Sequence, residues 1–243
     1  MPEQINLVPA GPGRTLADVA GGLDMPLAEA MLSQRAVRRL LPDPIDDEIV
    51  LRCIGLALKA PTGSNGQNWE FVVVKDRQVK ERLAERYRQS WAIYGKAAKR
   101  VSRSDPAMSK VVAAVAWQVE HFAELPVLVV ACLRGSRLPL VPVPPIVQSS
   151  YYGSIYPSVQ NLLLAARAMG LGASLITLPL WNTTSARNIL GLPVSVMPCC
   201  VVPLGWPRGR YGPTTRKPVG KVVHLDRYGS QPWRTGPTAV DAG

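Results

Sequence analysis

Apolar positions along the chain repeat at two spacings. Leu27, Met31 and Leu32 fall on one helical face behind Asp24 and Pro26, which have the character of a helix start. Ile49, Cys53, Leu56 and Leu58 supply a second face, opened by Asp46 and Asp47 and closed at Ala60 and Pro61. Over residues 77–103 charges alternate with Leu83, Tyr87, Trp91 and Tyr94 at helical spacing, and another helix is expected over residues 107–122. Residues 155–169 are strongly helical in pattern and end at Gly170-Leu171-Gly172, and a short helix is expected over residues 185–190. Continuous apolar runs too brief for helices mark strands at residues 69–74, 127–133, 173–177 and 197–204. About six helices and four short strands, with helix pairs between some strands, predict an α+β fold rather than a regularly alternating parallel sheet.

Other stretches lack such a pattern. Residues 1–24 are expected to be an arm, ordered only where it lies on the body or on another subunit. Pro139, Pro142, Pro144 and Pro145 crowd residues 134–153, which predicts an extended loop, and loops of that length are functional or disordered. Beyond Gly205 the chain turns basic and turn-rich through Arg208, Arg210, Arg216, Lys217 and Lys221, as expected of a surface-running tail. Thr62-Gly63-Ser64-Asn65-Gly66-Gln67-Asn68 gathers turn formers directly ahead of a buried strand, a good position for a site.

Composition narrows the class. With 47% hydrophobic and 19% charged residues, the chain has enough apolar surface to offset chain entropy and fold. Its longest apolar runs, residues 125–133 and 111–117, fall far short of the roughly 20 residues that cross a bilayer. No basic segment followed by an apolar stretch opens the chain, so a cytoplasmic location is expected. Cys53, Cys132, Cys199 and Cys200 each lie in an apolar run without C-x-x-C spacing and with only His121 and His224 to assist them, so buried free thiols and no metal site are expected. As neighbours in a strand, Cys199 and Cys200 should point to opposite faces. The formal charge of +11 raises anionic partners. Eleven Lys or Arg between Lys75 and Lys110 are interleaved with Asp76, Glu81, Glu85 and Asp105, a solvated mixture rather than a groove-reading stripe, so neither nucleic acid nor membrane is expected.

Phosphate-loop, dinucleotide-fold, nucleophile-elbow and H-E-x-x-H motifs are all absent from the sequence. Chemistry would therefore rest on a bound cofactor, with the chain supplying position and charge. Arg35, Arg38 and Arg39 sit at a helix end, where the dipole disfavours an anion and the guanidinium forks themselves would have to bind it. Residues 62–68 offer hydroxyls, amides and exposed backbone to a polar heterocycle or polyol, and Arg216 offers another cation. Taken singly, Arg35 or Arg38 is more often a solvated helix-end charge, the loop of residues 62–68 more often a plain turn, and Arg216 more often a surface residue.

In this order, the segments resemble the FMN-dependent nitroreductase family. Gln34-Arg35-Ala36-Val37-Arg38-Arg39-Leu40 with Pro42-Asp43-Pro44-Ile45 is similar to that family's flavin-phosphate signature, and Ala60 through Asn65, then Gln67-Asn68-Trp69 to Val74, to the loop and strand lining its flavin. The resemblance resumes from Ser158 to Gly172 and closes with Pro203-Leu204-Gly205-Trp206-Pro207 and Arg216-Lys217-Pro218. It implies a three-layer sandwich with a mostly antiparallel central sheet over residues 25–230, an intertwined homodimer with an FMN at each of two interface sites, and a C-terminal tail over residues 231–243. By that resemblance Arg35, Ala36, Arg38 and Arg216 would hold phosphate and ribityl, Pro61, Thr62, Gly63, Asn65 and Gln67 would contact the ring or ribityl, and Thr177 and Leu178 would lie against the isoalloxazine. Gln34 stands where many relatives carry Arg, and Ala36 where Ser is frequent. The implied activity is transfer of hydride from NADH or NADPH through flavin N5 to a nitroaromatic, quinone or related small aromatic acceptor in a ping-pong cycle. The Pro-rich loop, Trp91, Tyr94 and Trp181 would shape the acceptor pocket, and no side chain would be catalytic. The alternative is a flavin-binding storage protein with little turnover.

Overall fold

The computed structural model describes residues 14–135 and 145–234. In chain order the elements are α1 (Leu16–Val19), α2 (Leu27–Ser33), α3 (Asp47–Ala57), β1 (Trp69–Val74), α4 (Arg77–Ser102), α5 (Pro106–Glu120), β2 (Val127–Arg134), α6 (Pro145–Tyr152), α7 (Tyr156–Ala168), β3 (Gly172–Ala173), α8 (Thr183–Leu190) and β4 (Val196–Gly205). The chain divides between residues 211 and 212 into two compact units.

In the first unit the strands form one sheet in the order β1-β2-β4-β3, every neighbouring pair antiparallel. β2 is apolar at nearly every position because both of its faces are covered. Val127, Val129, Ala131 and Leu133 pack with Ile49 and Cys53 of α3 and Val159 and Leu162 of α7. Leu128, Val130 and Cys132 pack on the other side with Leu83 and Tyr87 of α4, Val119 of α5 and Ala186 of α8. The result is the expected α+β sandwich of helices, antiparallel sheet and helices. Asp46, Asp76, Asp105 and Asn182 cap α3, α4, α5 and α8 through side-chain oxygens that accept backbone N–H groups, each cap stabilising its helix by about 1 kcal/mol.

Several local expectations are overturned. Residues 173–177 do not form one strand: pairing stops after Ala173 and returns only at Ile176, which bridges Val201. In the gap the buried Ser174 hydroxyl accepts from Gln118 Nε2 at 3.0 Å, a side-chain bond in place of the ladder. Cys199 and Cys200 do not face opposite sides, since both join the cluster beneath α3 and α7. The register slips from Ala131↔Cys200 to Cys132↔Pro198 and leaves Cys199 as a bulge, next to a proline that cannot donate to the ladder. All four cysteines are buried and free, as expected.

The loop expected over residues 134–153 contains α6, where Pro145 takes the first helical position at which a missing N–H costs nothing; residues 136–144 lie outside the described residues. The last part of the expected arm lies on the body, because Thr15 and Asp18 cap α1 reciprocally and Val19 is buried in the core. On α2 the face of Leu27, Met31 and Leu32 is largely exposed: these residues are 65%, 55% and 52% exposed. Among the described residues no helix is long and apolar enough to cross a membrane.

The second unit folds upon itself. A helical turn at Val219–Lys221 places Gly220 against the Trp233 backbone, where a side chain would not fit. Leu225 N–H donates to the Ser230 carbonyl at 2.8 Å, and His224 stacks on Tyr228.

Candidate functional site

After α2 the chain runs extended through residues 36–41 and is clamped on both sides by backbone bonds. Val37 N–H donates to the Ala173 carbonyl at 2.9 Å, Leu41 N–H to Trp206 at 2.7 Å, and Arg208 N–H to Arg39 at 3.0 Å. Leu40 is buried between Gly172 and Gly205, both bare of the Cβ that would collide with it. Holding Leu40 inward leaves Arg35, Ala36, Arg38 and Arg39 to line a cleft of about 620 Å3. Its remaining wall comes from Ala114 and Trp117 of α5 and from the chain leaving β4, through Arg208, Arg210 and Tyr211. An adjoining cavity shares Arg35, Ala36, Arg38 and Ala114 and adds Lys110 from α5.

Five arginines thus line one cleft without a carboxylate among its lining residues. Burial, and after it the Arg35 charge, push the Arg38 guanidinium below its usual range, while Tyr87 pulls the other way. A guanidinium stays charged even so. Two side-chain polar atoms among the described residues are buried without a hydrogen-bond partner, Arg38 Nε and Tyr211 Oη, and both residues line this cleft. Such groups carry a desolvation penalty of about 1–3 kcal/mol unless a partner arrives.

The loop ahead of β1 lines neither cavity. Ser64, Asn65 and Gln67 hold φ of 51°, 52° and 48°, left-handed backbone that side chains disfavour. Backbone held in such regions marks ligand clamps and switch segments. Its conformation is set by Gly63 N–H donating to Ser154 Oγ at 3.1 Å, Gln67 N–H to Thr62 Oγ1 at 3.2 Å and Gln67 Nε2 to Asn65 Oδ1 at 3.2 Å. Pro61, Gly63, Asn65 and Gln67 are exposed, and Thr62 partly so. Thr177 is exposed at the start of a helical turn, Leu178–Leu180, and neither Thr177 nor Leu178 lines the arginine cleft. The structure thus brings Arg35, Ala36 and Arg38 together and leaves the loop and Thr177 elsewhere on the same unit. Arg216 belongs to the second unit, where it is exposed and its Nη1 donates to the Thr215 carbonyl at 2.9 Å.

The family model for the nitroreductase family matches residues 31–206, a span that includes the arginine segment, the strained loop and the whole sheet. The chain belongs to the nitroreductase family. Relatives within and around that family carry diverse names. This nitroreductase-family chain is 27% identical over 206 residues to the NADH dehydrogenase of Thermus thermophilus, covering 80% of this chain and 93% of the other. It is 28% identical over 209 residues to the 5,6-dimethylbenzimidazole synthase of Rhodospirillum rubrum, covering 84% and 88%. Its fold matches the solved structure of oxidized iodotyrosine deiodinase bound to FMN and 3-iodo-L-tyrosine with a TM-score of 0.61 at 19% identity, covering 89% and 100%.

Sequence reasoning missed part of the cleft. Arg208 and Arg210 read as tail residues and Trp117 as part of an apolar run. Arg208 Nε donates to the Leu40 carbonyl at 3.2 Å, and its guanidinium lies 5.4 Å from the Trp117 ring centre. Tyr211 sits 4.0 Å beneath the Arg167 guanidinium, whose Nε is held by Ser33 Oγ. The available signal was the alternation of Arg208 and Arg210 directly after the strand-ending Gly205-Trp206-Pro207.

Proposed function

We propose that this nitroreductase-family chain is an FMN-dependent oxidoreductase that acts as a homodimer, taking hydride from NADH or NADPH and reducing a nitroaromatic, quinone or related acceptor. The observation that carries the reading is the buried, partnerless Arg38 Nε beside Arg35 in a cleft lined without carboxylates. That donor set fits a phosphate monoester, which would bring acceptor oxygens to a guanidinium already desolvated. A bound flavin would supply the hydride-transfer chemistry.

The chain's own residues bind and orient. Arg35 and Arg38 hold the phosphate, with the backbone at Ala36 beside them. Pro61, Thr62, Gly63, Asn65 and Gln67 present carbonyls, amides and a hydroxyl to the ring or ribityl, and Thr177 and Leu178 lie against the ring. Two observations support a partner subunit: the loop and Thr177 stand outside the arginine cleft of their own chain, and the apolar face of α2 is exposed. A twofold partner would bring one chain's loop to the other's arginines.

Buried thiols do not serve as nucleophiles here. Desolvation pushes Cys53, Cys132 and Cys200 up to about 12 and Cys199 up to about 11, so they stay protonated near neutrality. His121 stacks on Trp117 and lies 3.1 Å from Glu124, and His224 accepts the Gly229 N–H.

A visible spectrum of the purified protein, with FMN added and then anaerobic NADH or NADPH, tests the reading. Bleaching followed by reoxidation with a nitroaromatic is expected. A protein that stays colourless after FMN is added overturns it, and a yellow protein that neither nicotinamide bleaches identifies a storage protein instead.

A further inference from the structure

The flavin reading uses Arg35 and Arg38 and leaves most of the cleft unexplained. A phosphate monoester carries about −1.5 to −2 near pH 7, whereas five guanidiniums line the cleft. None of the five forms an ion pair among the described residues. About three positive charges therefore remain without a counter-charge. A cleft of about 620 Å3 is also far larger than one phosphate group requires.

The unassigned residues are organised. Arg208 is held by its backbone N–H on the Arg39 carbonyl and by its side-chain Nε on the Leu40 carbonyl, and its guanidinium lies over Trp117. Little rotamer freedom is left to lose on binding an oxyanion. Tyr211 presents the second partnerless buried atom of the cleft, and burial pushes its phenol up to about 12, which keeps the proton available to donate.

We propose that Arg39, Arg208, Arg210 and Tyr211, with Trp117, form a second phosphate subsite that takes the diphosphate of the nicotinamide dinucleotide donor. This assignment of the donor rests on the flavin reading, while the phosphate chemistry rests on the cleft itself. Phosphorylated acceptors share that chemistry, and the measurements below separate the two sources.

Inorganic pyrophosphate titrated calorimetrically into the FMN-saturated protein gives the direct readout, repeated with Arg210→Glu and Tyr211→Phe. Binding is expected for the unmodified chain, weakened at least about tenfold by Arg210→Glu, the loss of about one charge-assisted contact, and weakened less by Tyr211→Phe. Both variants should keep FMN affinity within about twofold, and Arg210→Glu should raise KM for NADH or NADPH about tenfold with kcat retained and the acceptor KM unchanged. A rise confined to the acceptor KM overturns the donor assignment. Absence of pyrophosphate binding by the FMN-saturated chain, or equal loss of FMN by Arg210→Glu, overturns the subsite. If the chain takes up no FMN, the flavin reading fails, and the same titration on flavin-free protein decides the subsite by whether Arg210→Glu abolishes binding.

Discussion

Leu40 lies on the bare Cα of Gly205: a Cβ built on that glycine would sit 2.8 Å from the Leu40 Cβ. This close approach seats residues 36–41 between β3 and the end of β4 and turns the arginines toward the cleft. Gly205→Ala should destabilise the protein by about 1–3 kcal/mol through overpacking. Because the segment must shift, FMN affinity should fall with it. Urea unfolding reads the first effect and quenching of flavin fluorescence the second; a stability loss with full FMN affinity would show that this contact does not position the arginines.

Arg38 is desolvated and its Nε is unpartnered, so Arg38→Met should leave the flavin-free protein as stable as before or more so. Loss of a charge-assisted bond worth about 1.5–3 kcal/mol should lower FMN affinity about 10- to 100-fold. Thermal unfolding with and without FMN checks both halves, since the rise in Tm expected of the parent chain with FMN should nearly vanish in the variant.

Ser64 holds left-handed backbone without a side-chain hydrogen bond of its own among those described, whereas Asn65 and Gln67 bond each other. Ser64→Gly should therefore stabilise the chain by up to about 1 kcal/mol with FMN affinity retained. Gln67→Gly should relieve similar strain but weaken FMN. Equal FMN affinity for both variants would remove the Gln67 side chain from the site.

Gln118 is fully buried, accepting from the Tyr87 hydroxyl at 3.3 Å and donating to Ser174 at 3.0 Å. Gln118→Leu would strand both hydroxyls and should lower the urea midpoint by an amount equivalent to about 1–3 kcal/mol with m unchanged. An unchanged midpoint would mean the three groups are satisfied another way.

The buried thiols make stability fall in alkali. Cys200 holds its proton to about 12 in the folded chain against about 9 unfolded, so the folded state binds more protons between those values. Its contribution is intact below about pH 9 and is lost as pH rises toward 12. Each such thiol steepens the decline by about 1.4 kcal/mol per pH unit. Unfolding free energies at pH 8 and 10.5 should show Cys200→Ala less stable at the lower pH, through its cavity, yet declining less steeply. Identical slopes would mean that Cys200 ionises as freely folded as unfolded.

Much of the fold was legible because its signals are local. The apolar runs of β1, β2 and β4, the helical periods of α4 and α7, and the aspartate capping α3 act within a few residues of themselves. The arginine segment and the turn-forming loop could be singled out the same way, by residue type and order. The places where local reading failed each involve a distant partner. Cys199 joins Cys200 on one face because the pairing of β4 with β2 slips register between Cys200 and Pro198, and residues 173–177 break as a strand where Gln118 reaches Ser174.

Residue pattern alone carried an α+β class, buried thiols, and a short run of arginines and a polar loop suited to an anion and a polar heterocycle or polyol. That Arg38 is desolvated with its Nε unpartnered, and that Arg208, Arg210, Trp117 and Tyr211 share its cleft, follows from the packing of distant segments. The reason is physical: alternation and capping are written in neighbouring residues, whereas a cleft is made by pairing across 168 positions between Leu40 and Arg208, and burial exists only once those segments meet.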